Sequence, residues 1–174
     1  VYNNSIYKNH LENRNNEQIV MLGFSDGTKD GGYLTANWNI LKSKEQLIDI
    51  SSKYGIKLKF FDGRGGPPAR GGGNTHQFYS SMAGIIDTTD IQLTIQGQTI
   101  SSNFGTIDSC QYNLEQLISS ACNNQNLSDS FSHLSDDNRK TMDILSEYSF
   151  KAYNDFKNHP MFLSYLEKMS TIKY

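Results

Sequence analysis

Two short stretches hold most of the residues able to do chemistry. SDGTKDGG, at 25–32, sets Asp26 and Lys29 three residues apart, with Asp30 beside them. A carboxylate can coordinate a divalent cation and an ammonium can hold an anion. Mg²⁺ commonly takes one or two protein carboxylates and leaves its other positions to water and substrate oxygens. One aspartate is therefore enough to contribute, while a polar turn with Asp30 capping the next helix accounts for the same letters.

The second stretch, DGRGGPPARGGG at 62–73, sets Arg64 and Arg70 six residues apart among glycines. Guanidinium forks match phosphate and carboxylate oxygens bidentately. Gly65, Gly66, Gly71 and Gly72 would let backbone N–H groups approach an anion. An anion site and a surface loop with solvated arginines both fit. An RNA-binding RGG-type segment fits poorly, with two arginines, no interleaved aromatic residue and a net charge of −2. Neither a P-loop nor a dinucleotide fingerprint occurs. His10, His76, His133 and His159 are scattered; only His76 falls near these stretches, where capping or packing explains it. No Ser or Cys has a base at recognisable spacing, so nucleophilic catalysis has no support.

The elements that must position these residues follow from periodicity. Residues 1–17 are polar and Asn-rich, which predicts a loop-like lead-in. QIVMLGF, at 18–24, is an almost continuous apolar run, as in a strand buried on both faces. SDGTKDGG reads as a turn. A helix is predicted from Tyr33 to about Tyr54, with Leu34, Trp38, Leu41 and Ile48 on its apolar face and Gly55 as its stop. IKLKFF, at 56–61, alternates as a second strand, so strand, helix and strand form a right-handed βαβ unit with parallel strands. IQLTIQ, at 91–96, predicts a third strand. IQGQTISSNFG, at 95–105, reads as a polar loop that could add Gln96, Gln98 or Asn103 to the same face. A helix over 108–122 is capped by Asp108 or Ser109. A further helix at about 137–156 carries Met142, Leu145, Ser149 and Ala152 or Tyr153 on one face. After Pro160 a short helix runs from Met161 to about Met169. In parallel α/β folds ligands bind at the carboxyl ends of strands, which sends both glycine-rich stretches to one crevice.

With 174 residues the chain is long enough for one sizeable core. Its mean hydropathy of −0.58 is rather polar. The net charge of −2 creates no field that would draw nucleic acid or an acidic membrane. No apolar run approaches the ~18 residues of a membrane span, and no signal peptide is evident. Cys110 and Cys122 suggest buried free thiols in a reducing, cytoplasmic setting.

Taken together, VMLGFSDGTKDGG and FFDGRGGPPARGGGNTH resemble the phosphoenolpyruvate carboxylase family, with its Y/F-S-D-S-x-K-D-x-G and H-G-R-G-G-x-x-x-R-G-G motifs. TIQGQTISSNFG, at 94–105, is similar to the family's T-E-Q-G-E segment. The resemblance spans about 18–174. It implies a portion of a (β/α)8 TIM-like barrel in 18–174, behind the polar lead-in of 1–17, from a divergent bacterial-type branch. It implies a cytoplasmic, allosteric lyase, tetrameric in the family, that joins phosphoenolpyruvate and bicarbonate with Mg²⁺ or Mn²⁺. By matching position, Asp26 is a metal ligand and Lys29 lies on the bicarbonate side. Arg64 holds the substrate phosphate, Arg70 is the loop arginine needed for catalysis, and Met21 belongs to the pocket around the substrate methylene. The loop glycines belong to the substrate site.

The departures are specific. Asp62 stands where the family has histidine, and a salt bridge to a neighbouring arginine is expected there. Ile95 and Gln98 replace two glutamates, Ser101 stands where some members have a basic residue, and Pro67 and Pro68 stiffen the loop. The family's essential histidine and second acidic metal ligand have no counterpart in these residues, so the isolated chain is expected to be inactive. A non-catalytic phosphate-binding or anion-binding module of the same fold is the alternative.

Overall fold

The computed structural model describes residues 1–64, 74–82, 90–126 and 134–170. In chain order these form α1 (Ser5–Glu12), β1 (Glu17–Gly23), α2 (Phe24–Gly31), α3 (Tyr33–Lys53), β2 (Lys57–Gly63), α4 (Thr75–Ser81), β3 (Gln92–Leu93), α5 (Gln98–Phe104), α6 (Ile107–Asn126), α7 (Asp136–Lys157) and α8 (Phe162–Met169). The protein is α/β, with a three-stranded parallel sheet in the order β1-β2-β3. The predicted βαβ unit is present: β1 and β2 pair in parallel from Glu17↔Lys57 to Gly23↔Gly63.

The α3 stop is read directly from chemistry. Gly55 sits at φ +65°, Ile56 N–H donates to Ser51 O, and Gly55 N–H donates to Ser52 O. This is the Schellman pattern, in which a left-handed glycine satisfies the last helical carbonyls.

Several expected elements differ. The lead-in contains α1, capped by the Asn4 side chain, with Leu11 buried and the Tyr7 hydroxyl bonded to Gln18 of β1. Strand β1 is not covered on both faces: Ile19 is 42% and Met21 58% exposed.

SDGTKDGG is a helix rather than a turn. Phe24, 0% exposed, anchors α2, and its glycines serve packing and chain reversal. A Cβ on Gly27 would lie 3.2 Å from Ala36 Cβ, which explains the close approach of α2 to α3. Gly32, at φ +84°, breaks the chain between them and occupies the N-cap of α3; Asp30 lies in α2 and caps nothing there. The polar loop after β3 is α5. Helix α6 starts one residue earlier than expected, and Thr106 Oγ1 accepts from Ser109 N–H at its start.

Helix α7 packs on a different face from the one its apolar residues suggest. Its contacts recur at Arg139, Asp143, Ser146, Phe150, Tyr153 and Lys157. Arg139 makes a bidentate pair with Glu45 at 2.8 and 2.7 Å. Asp143 accepts from Trp38 Nε1 at 2.8 Å and Lys42 Nζ at 2.7 Å. At the crossing, buried Thr35 donates to Ser146 O at 2.8 Å. Tyr153 OH donates to Lys29 O at 2.8 Å. Polar bonding sets the docking face, so Leu145 stays 48% exposed. Ile107, Tyr148 and Leu163 are among other exposed apolar side chains on α6 to α8. The thiols are free as expected, although Cys122 is exposed and Cys110 half-buried.

Asp143 ties α7 to α3. The Lys42 ammonium first, then the Trp38 N–H, hold its carboxyl below the usual range, with Arg139 adding to the effect. A depressed folded-state value stabilises above the unfolded value, near ~4, and the contribution vanishes as pH falls through the folded value. Thermal melts should therefore show wild type losing more melting temperature on acidification below about pH 4 than Asp143→Asn. Parallel curves would remove Asp143 from the docking account.

Candidate functional site

Both long strands end in glycine at the same level of the sheet, since Gly23 and Gly63 are register partners. The approach there is tight: a Cβ on Gly63 would lie 2.9 Å from Leu22 O and 3.4 Å from Met21 Cε. The two motif segments leave the sheet from this shared edge.

On the first segment, the Asp26 carboxylate folds back over the end of β1, where a Cβ on Gly23 would meet its Oδ2 at 2.8 Å. Lys29 Nζ stands 3.6 Å from Asp26 Oδ1, and both side chains are largely exposed. Such a pair contributes little to stability. As a metal donor, Asp26 fits one position of an Mg²⁺ or Mn²⁺ shell; among the described residues no group of three acidic, His or Cys side chains converges. Met21 lies on the open side of the sheet, beside Gly63.

The second segment leads into the interior. Phe60 and Asp62 alternate onto the sheet face covered by α3 and are 9% and 2% exposed. Asp62 does not pair with an arginine as expected. Its partner is Lys44 of α3, 0% exposed, whose Nζ lies 2.8 Å from Oδ1 and 2.9 Å from Oδ2. Tyr79 OH from α4 donates to Oδ2 at 3.0 Å. The hydrogen bonds converge on Oδ2, and Oδ1 keeps unused acceptor capacity.

Arg64 follows at once and is 5% exposed. Its guanidinium lies 4.0 Å from the Phe78 ring centre and 5.8 Å from that of Phe24. The Phe78 ring centre also lies 5.5 Å from Lys44 Nζ, so one ring meets both cations. Arg64 Nη1 reaches Thr75 Oγ1 only at 3.5 Å, and its buried Nε has no hydrogen-bond partner among the described residues. Arg64 lines a cavity of about 80 Å³ with Thr75, Leu93, Thr99, Asn103 and Phe104, among others. That is room for several waters or a small anion.

The electrostatics are those of buried cations. Burial lowers the Lys44 pKa, and the Asp62 carboxylate opposes the shift. Burial likewise lowers the Arg64 value, although a guanidinium starts so high that it keeps its charge. The Tyr79 phenol is pushed up, by burial first and then by Asp62. Lys44, Asp62 and Arg64 together bear one net positive charge beside the cavity.

The structure brings Asp26, Lys29, Met21 and Arg64 to one strand-end edge, with Arg64 buried and the other three exposed. Arg70, Gly65, Gly66, Gly71 and Gly72 lie outside the described residues. Lys44 and Tyr79 were not anticipated. Lys44 had a visible signal: it falls four residues after Ile40 and four before Ile48, a lone cation in an apolar stripe. Tyr79 had none.

Fold and site define an α/β domain with a small pocket, lined by the buried Arg64, at the carboxyl edge of a parallel sheet. The phosphoenolpyruvate carboxylase family model matches residues 1–173, and the chain belongs to that family.

Removing Lys44 alone should be severe. Lys44→Met leaves the Asp62 carboxylate buried without its counter-charge, at a cost of about 3–5 kcal/mol. Lys44→Met with Asp62→Asn removes both charges and should recover most of that loss. Urea denaturation of the two variants checks this; equal losses would show that Lys44 contributes through packing rather than charge.

Proposed function

We propose that the site binds the phosphate of phosphoenolpyruvate through Arg64. The reading extends to carboxylation by bicarbonate, giving oxaloacetate and phosphate. The observation that carries it is the buried Arg64 guanidinium, whose Nε has no hydrogen-bond partner among the described residues, lining a cavity of mixed polar and apolar walls at the strand ends. A buried donor with nothing to bond costs about 1–3 kcal/mol, more when charged, and an anion in the cavity relieves that cost.

In this reading the phosphoryl group passes from the enol oxygen to a bicarbonate oxygen, leaving carboxyphosphate and an enolate. Carboxyphosphate releases CO₂ and phosphate, and the enolate carbon attacks CO₂. Arg64 offsets charge on the phosphoryl oxygens during transfer. Lys29 holds bicarbonate, and Met21 packs against the substrate methylene. Arg70 covers the reacting groups, with Gly65, Gly66, Gly71 and Gly72 giving the loop backbone its approach. Asp26 would hold Mg²⁺ or Mn²⁺, and the ion would stabilise negative charge on the enolate oxygen.

The parallel order β1-β2-β3 and the exposed helix faces support a portion of a (β/α)8 barrel over 18–174. Cytoplasmic location and a tetrameric full-length enzyme complete the proposal. No described helix is long and apolar enough to cross a membrane.

Because Asp26 is the single acidic ligand we assign, we propose that the 174-residue chain alone does not turn over. A second reading, a phosphate-binding module without catalysis, is favoured by Lys29 standing 3.6 Å from Asp26, where it competes with a cation. Three measurements separate these. Arg64→Gln should weaken inorganic phosphate binding about tenfold or more by calorimetry, one order being about 1.4 kcal/mol; unchanged affinity removes Arg64 from the site. Asp26→Asn should abolish Mn²⁺ binding seen by electron paramagnetic resonance, whereas no Mn²⁺ binding by wild type supports the module. Bicarbonate-dependent oxaloacetate formation by the isolated chain would overturn its inactivity.

A further inference from the structure

We infer that Lys44 is a positioning residue whose task is to occupy Asp62, so that the neighbouring carboxylate does not capture the Arg64 guanidinium. The inference rests on the phosphate reading of Arg64. Asp62 and Arg64 are two residues apart, both buried, at the end of one strand. An aspartate beside an arginine in a low-dielectric interior ordinarily forms a forked ion pair. Here it does not: both carboxylate oxygens lie within 2.9 Å of Lys44 Nζ, and Tyr79 OH adds a second bond to Oδ2. Arg64 turns instead onto Phe78, toward the cavity.

The competition is real because capacity exists on both sides. Among the described residues, Asp62 Oδ1 has no directed hydrogen bond and Arg64 Nε has no partner. The Lys44 charge, with the Tyr79 bond to Oδ2 and the seat of Arg64 on Phe78, favours the observed arrangement over Asp62 swinging to Arg64. The Phe78 ring is within reach of both the ammonium and the guanidinium. Lys44 does not line the Arg64 cavity. It therefore makes no contact with an anion held there, and its inferred effect runs through Asp62.

This separates three roles. If Lys44 only supports the fold, removing either member of the pair harms phosphate binding alike. If Lys44 touches the anion, removing Asp62 does not rescue its loss. If it occupies Asp62, the effects are asymmetric and rescuable.

The test is calorimetric titration of inorganic phosphate into the full 174-residue chain, with circular dichroism confirming the fold of each variant. Lys44→Met should weaken binding at least tenfold, Asp62→Asn should not weaken it, and the double variant should return to within about threefold of wild type. Lys44→Gln, which keeps a donor toward Asp62 without the charge, replaces Lys44→Met if that variant does not fold, with the same expectations. Unchanged affinity in the single Lys44 variant, equal losses in both single variants, or no recovery in the double variant each overturns the inference while leaving Arg64 in place. Wild type that binds no phosphate, or binds it equally as Arg64→Gln, overturns the phosphate reading and this inference together.

Discussion

A carboxylate buried at 2% exposure dictates much of what surrounds it. Asp62 is the last inward-facing position of β2, and an ionised group there demands a counter-charge and hydrogen bonds within reach. Lys44 reaches it only because α3 lies over β2, and Tyr79 only because α4 returns to the same edge after the glycine-rich segment. Three elements distant in sequence are thus drawn to one point. The arrangement is not a strong source of stability, since desolvation of both ions opposes their attraction. Its consequence is specificity of placement, because few other packings of α3 would pair Lys44 at all.

The same economy of small contacts sets the helical layer. α2 and α3 approach where Gly27 meets Ala36, and α3 crosses α7 where Thr35 bonds to the Ser146 carbonyl. Small side chains allow the close passage, and polar bonds on either side fix its register: Trp38 to Asp143, Glu45 to Arg139, Tyr153 to the Lys29 carbonyl. This last bond lies on the helix that carries Asp26. Packing of α7 therefore bears on the position of the first site segment, although α7 itself adds no group to the strand-end edge.

Period and stop signals made the skeleton legible before any coordinates. The alternation of Ile56, Leu58 and Phe60, the length of α3 and the Gly55 stop each reflect a local rule, and each stands. The α3 face shifts, since Trp38 is buried with Thr35, Ala36, Ile40 and Lys44 while Leu34 is exposed. What was not legible came from contacts between distant residues. Glycines in SDGTKDGG carry turn statistics, yet two of them allow close packing against Ala36 and Phe150. The α7 face was misjudged because its docking side is chosen by Asp143, Ser146 and Arg139, which a hydrophobic period cannot register. In the site, the strand-end location of Asp26 and Arg64 followed from topology alone. The partner of Asp62 did not, because a local reading looks to the arginine two residues away rather than to a lysine eighteen residues back.

That misjudgement explains how the family pattern tolerates its departure here. An unpaired aspartate in place of histidine would add a negative charge beside the arginine assigned to phosphate and would compete with the ligand for it. Paired with Lys44, the aspartate contributes no net charge, and the excess of one positive charge belongs to Arg64. Tyr79 meets the carboxylate with a neutral donor whose own ionisation is suppressed by burial and by Asp62, so it adds no second negative charge. The substitution at 62 is therefore not a single change but half of an ion pair whose other half sits on a different element. The charge presented at the end of β2 thus depends less on the letter at 62 than on the lysine that α3 sets against it.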